Sequence, residues 1–169
     1  AIAEAKDYNA IQGALNVAKA AMAAISRSNA DKATVAVSLE KFTLGQGYII
    51  EPTLVTIPRG EKASVVITDL INEKYGSDPK PYKNTGTLDS SFYLSKVYDT
   101  DTEVNIPQYI LDAIEKSEEP LNGRLDDEWL GEFDYYWMSG WMYAVNNSFP
   151  GVGAADWHLQ NGQVMRWQY

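Results

Sequence analysis

The sequence predicts an α+β domain, and three observations carry that prediction. Short runs of alternating apolar and polar residues lie near both ends of the stretch 34–169, as half-buried strands require. Between them, residues 62–75 repeat apolar side chains at three- and four-residue spacing, the period of a helix. With 45% of its 169 residues hydrophobic, the chain can also bury a real core. Strand, strand, helix and further strands around one sheet is an α+β order.

The first 30 residues stand apart from the rest. Tyr8, Ile11, Leu15, Ala18, Met22 and Ile25 form one narrow stripe in an Ala-rich segment, which predicts an amphipathic helix over 1–28. Ser26, Ser28 and Asn29 disfavour its continuation, so residues 1–30 read as a helix and linker before a domain at 34–169.

Val35, Val37 and Leu39 alternate with Ala36, Ser38 and Glu40, a strand. Gly45 and Gly47 predict a turn or bulge, and Pro52 and Pro58 bracket a second strand around Leu54, Val55 and Ile57. Over 62–75, Val66, Ile67 and Leu70 should face the sheet together with Val35, Val37 and Val164, and Gly76 should end the helix. Phe92, Leu94 and Val97 predict a third strand. Pro107 opens a short helix to about Glu115. Polar residues 116–127, with Pro120 and Gly123, read as a loop, and Asp126, Asp127 and Glu128 as the acidic start of a helical turn. Trp141, Tyr143 and Val145 alternate with Met142, Ala144 and Asn146 in a strand. Asn161–Gly162 predicts a hairpin joining 157–159 to 164–169.

Charge and composition narrow the function. Lys plus Arg total 14 against 23 Asp plus Glu, a net charge of −9 that opposes nucleic acid and anionic membrane surfaces. There are no cysteines, which excludes disulfides, thiolate metal sites and Cys nucleophiles. No apolar run approaches the roughly 20 residues of a membrane span. The opening AIAEAKDYNA has no signal-peptide pattern, so a targeting segment removed on export is the expectation.

Candidate chemistry is sparse. Eleven of the twenty aromatic residues, including all five tryptophans, lie between Trp129 and Tyr169, so ligand contact is sought there. Trp141, Tyr143 and Trp157 offer flat apolar faces, with Asn146 and Asn147 as hydrogen-bonding partners; the same aromatics also serve as core. Asp99, Asp101, Glu103 and Asn105 occupy alternate positions, and Asp99, Asp101 and Glu103 are candidate cation ligands. An EF-hand is rejected, because Val104 and Ile110 stand where its Gly and Glu belong. Glu132 and Asp134 could pair as glycosidase carboxylates, but an extended run would turn both to one face and Phe133 and Tyr135 inward. His158, the single histidine, lies on a predicted strand without an evident serine and carboxylate beside it. No catalytic residue, resident metal or cofactor is expected.

Three stretches carry a family resemblance: LEKFTLGQGYIIEPTLVTIPRG at 39–60, LGEFDYYWMSGWMYAVNNSFPGVG at 130–153 and LQNGQVMRWQY at 159–169. Together they resemble the transcobalamin-like C-terminal domain family, common in secreted and wall-attached proteins of Gram-positive bacteria. The resemblance implies a β-grasp-like mixed sheet with a crossing helix and an extracellular or cell-wall location. It also implies a binding role for a soluble ligand, a glycan or a protein domain. In transcobalamin this domain closes over cobalamin together with a helical barrel, and Trp141 falls on a Trp of the matching strand. Cobalamin is therefore expected only with a partner domain. Gln163 departs from the Asp that bacterial members often carry after the glycine. The expected function is a non-catalytic extracellular binding module. The alternatives are a structural spacer or adhesin domain without a small-molecule site, one half of a two-domain cobalamin binder, and, least, a hydrolase.

Overall fold

A computed structural model describes residues 31–169, and the helix expected over 1–28 lies outside them. The described fold is α+β, with two helices and two sheets. In chain order the elements are β1 (Lys32–Glu40), a 3₁₀ turn (Phe42–Leu44), β2 (Tyr48–Pro58), α1 (Ala63–Tyr75), β3 (Tyr82–Thr87), β4 (Ser90–Tyr98), α2 (Gln108–Lys116), β5 (Trp129–Gly131), β6 (Met142–Val145) and β7 (Val164–Gln168). The expected single sheet is two. A mixed four-stranded sheet runs β2-β1-β7-β6, with β1 parallel to β7 and β6 antiparallel to it. A second, antiparallel sheet runs β3-β4-β5.

Alternation along β1 buries Ala33, Val35, Val37 and Leu39 in one cluster with Val66, Ile67 and Leu70 of α1. Each fully buried aliphatic side chain stabilises the fold by about 1.5–3 kcal/mol. Helix α1 ends where Gly76, at φ 87°, donates its N–H to the Asn72 carbonyl 2.8 Å away. Val164 departs from the expected inward set: it is exposed, and Met165, opposite Val37, is the buried residue. A one-residue shift in parity moves every side chain of a strand to its other face.

Other departures have local causes. Pro52 lies inside β2 rather than at its end, which a strand at the sheet edge tolerates because its outward N–H is not needed. Asn161–Gly162 makes a turn, closed by Gln163 N–H to the Gln160 carbonyl at 3.2 Å, but only Gly162 has positive φ, at 80°. That is a type II turn, not the doubly left-handed type I′ of a two-residue hairpin. Its arms therefore part: His158 bridges to Lys62, and β7 pairs with β1 and β6. Asp126 begins no helix. Its Oδ1 accepts the Glu128 N–H at 3.1 Å in a turn that leads into β5.

Candidate functional site: an apolar groove beneath α2

Tyr109, Ile110, Ala113 and Ile114 recur at three- and four-residue intervals, so they share one side of α2, and Ile106 precedes it. No residue of this helix is buried. Its apolar side instead lines a groove of about 460 Å³ whose opposite wall includes Leu44, Tyr135, Met138 and Tyr169. Local bonds sustain the helix: Ile110 N–H donates to the Pro107 carbonyl at 2.9 Å, and Gln108 Nε2 to Asp112 Oδ1 at 2.8 Å. A helix this short is marginal in water by itself.

The opposite wall is held from below. Asp134 is fully buried, and its carboxylate accepts the Leu125 N–H at 2.8 Å and the Gly131 N–H at 2.7 Å. These bonds pin a loop in which Phe133 and Tyr135 take left-handed φ values of 70° and 65°, a conformation that bulky residues rarely adopt. Such backbone outliers tend to cluster at ligand-contacting sites. The Glu132 and Asp134 carboxylates thus do not share one face, and it is Phe133 that projects outward while Asp134 turns in. Ser139 Oγ donates to the carbonyls of Asp134 and Tyr136 and lies 2.9 Å from Tyr169 Oη. Thr43 Oγ1 donates to the Tyr169 carbonyl at 2.5 Å.

Burial pushes the phenols of Tyr135 and Tyr169 above their ordinary range. Both are neutral at physiological pH. The Ser139, Thr43 and Tyr169 hydroxyls of the groove already have partners within the protein. The groove therefore offers apolar contact and uncharged rings.

The residues expected from sequence lie elsewhere. Trp141 is core, 2% exposed, with its indole N–H donating to the Leu130 carbonyl at 3.1 Å. Tyr143 stacks on Trp167 at 5.3 Å between centroids and donates its hydroxyl to the Val152 carbonyl at 2.7 Å. Burial, then Asp156, raise its pKa to about 12. Trp141 and Tyr143 do meet, with Phe149 and Trp167, around a smaller pocket of about 180 Å³. Asn146, Asn147 and Trp157 do not line it. Asn146 and Asn147 form the left-handed turn after β6, where Asn146 Oδ1 accepts the Val164 N–H at 3.0 Å and Asn147 Oδ1 accepts from Arg166 at 3.2 Å. Trp157 is half-buried, and its carbonyl accepts the Ala63 N–H at the start of α1.

Asp99 and Asp101 serve as ion-pair partners. Lys41 Nζ lies 2.8 Å from Asp99 Oδ2 and 3.2 Å from Asp101 Oδ2, and Arg124 Nη2 lies 3.4 Å from Asp99 Oδ2. Glu103 gives its N–H to Asp101 Oδ1 at 3.3 Å and its carbonyl to Gln46. Among the described residues no group of three or more ligating side chains is set to hold a metal. His158 Nδ1 lies 2.7 Å from the Gly60 carbonyl.

Sequence reasoning missed the groove although its signal was present. The spacing from Ile106 to Ile114 is that of a lined helix face, a stronger signal than the Pro107 start alone.

Fold and groove together define the class: an α+β domain carrying an open apolar cleft beneath a short helix. Residues 123–169 match a family model described as a domain of unknown function, DUF4430. The match spans β5, the pinned loop, β6 and β7. No curated protein matches the chain. Among the described residues no helix is long and apolar enough to cross a membrane.

Proposed function

We propose that this chain is a non-catalytic binding module that takes a soluble ligand with a large apolar face into the groove beneath α2. One observation carries the reading: α2 buries none of its residues, yet turns four apolar side chains, with Ile106 just before it, onto a cleft of about 460 Å³. That volume is within the roughly 300–1,000 Å³ of small-molecule sites. Closure of α2 over a ligand would remove apolar surface from water and stabilise both.

The likeness to the transcobalamin-like C-terminal domain supports the same reading and adds an extracellular or cell-wall setting. In that likeness the cobalamin site needs a helical barrel opposite, whereas the described residues contribute one wall. Cobalamin added to this chain alone should bind weakly or not at all.

The test is a fluorescence titration with N-phenyl-1-naphthylamine, a neutral apolar fluorophore, with cobalamin alongside. Saturable one-to-one enhancement in the wild type, lost in both Ile110→Glu and Met138→Glu, supports the groove. Equal enhancement in both variants, or none in the wild type, rejects it.

A further inference from the structure

The three-stranded sheet has a second face that the groove does not use. Tyr82, Val97 and Leu130 are buried on its inner side. On the outer side Lys83 lies directly opposite Lys96, Lys96 opposite Gly131, and Tyr98 opposite Trp129. Like charges placed directly opposite across a ladder destabilise it. Neither Lys83 nor Lys96 forms an ion pair among the described residues, where Lys41, Lys62, Arg124 and Arg166 take the carboxylates. Gly131 is required beneath Lys96, because a Cβ there would come within 2.5 Å of Lys96 Cγ. The Lys96 stem therefore lies across β5, next to the strand position of Trp129.

Beside these lysines is an aromatic cleft of about 410 Å³. Tyr75 meets Tyr98 edge to face at 5.3 Å, and Tyr98 meets Trp129 at 5.8 Å. Lys83 Nζ sits 4.4 Å from the centre of the Trp129 ring, and Lys80, in the cleft wall, sits 4.1 Å from that of Tyr82. Glu128 is the one carboxylate in the lining.

We propose that this face binds a saccharide bearing a carboxylate or phosphate group. In a chain of net charge −9, lysines gathered without carboxylate partners run against the overall sign. They are complementary to an anion, which would also relieve the Lys83–Lys96 repulsion. The aromatic rings match the C–H face of a sugar ring, and Glu128 can accept a ring hydroxyl. This site lies apart from the groove beneath α2 and goes beyond the reading given above.

The test is an NMR titration of the full chain with trigalacturonic acid, glucose 6-phosphate and neutral maltotriose. The two acids separate carboxylate from phosphate as the preferred group. At least one should shift the Trp129 indole and the amides of Lys83 and Lys96, and maltotriose should not. The double variant Lys83→Gln/Lys96→Gln should weaken binding by at least about tenfold, with a melting temperature equal to or above wild type because the repulsion is gone. Ile110→Glu should leave this binding intact, which keeps failure of the groove distinct from failure here. Silence with both acids at about 1 mM, equal binding of maltotriose, or unchanged affinity in the double variant overturns the proposal.

Discussion

Tyr169 Oη lies 2.9 Å from Ser139 Oγ, and the same hydroxyl reaches the carbonyls of Asp134 at 2.8 Å and Gly131 at 2.9 Å. One side chain next to β7 thus secures the loop that forms the groove's inner wall. Tyr169→Phe should lower stability by about 1–3 kcal/mol, since the carbonyls lose a donor. The pH dependence has a definite sign. Burial raises the Tyr169 pKa above that of an unfolded tyrosine, so its contribution is complete below about pH 10 and lost as pH rises through the raised value. Urea melts at pH 7 and above pH 10 should show the gap between wild type and variant narrowing. A constant gap would contradict this role.

Lys41 and Asp99 are 3% and 8% exposed along their side chains, and their ion pair shares Asp99 with Arg124. Asp99→Ala leaves two cations without their buried partner. Such a loss costs about 3–5 kcal/mol. Chemical denaturation measures it, and a loss below about 1 kcal/mol would show that solvent screens the network.

Trp141 is a packing residue that also holds the Leu130 carbonyl. Trp141→Ala should cost about 3–5 kcal/mol through cavity formation, and Trp141→Phe considerably less. Thermal melts of both check this. An alanine variant as stable as wild type would return Trp141 to the list of surface residues.

Asp69, an exposed residue of α1, has its pKa raised, first by partial desolvation and then by the nearby Glu61 carboxylate. A raised carboxyl pKa means that folding favours the protonated form. Its favourable contribution is present at low pH and lost as pH rises through the folded value. Asp69→Asn should melt above wild type at pH 7 and together with it near pH 3. A variant less stable at pH 7 would reverse the sign.

Much of the fold was legible because burial and period agree. Val66, Ile67 and Leu70 fall on one side of α1, and Val35, Val37 and Leu39 on one side of β1. Strand β3 was not legible: Lys83, Asn84, Thr85 and Gly86 carry no apolar alternation, and bulges interrupt the register. Strand β5 has only three residues, too few for a period, and is set by pairing with β4. The aromatic count directed attention to 129–169, but alternation alone did not show that Trp141 would be sealed in. Its ring meets that of Tyr169 at 5.3 Å and its indole N–H donates to the Leu130 carbonyl, both distant in sequence. The groove stayed hidden for another reason. Its two walls, at 106–114 and 135–139, are joined by contacts distant in sequence.

The proposed binding role requires α2 to be a binding face rather than a structural one. Its most direct test pairs affinity with stability in a single variant, Ile110→Glu. Because α2 buries no residue, the melting temperature should stay at the wild-type value, while affinity for N-phenyl-1-naphthylamine should fall by at least about tenfold. Unchanged affinity, or a variant that unfolds well below wild type, would contradict the account.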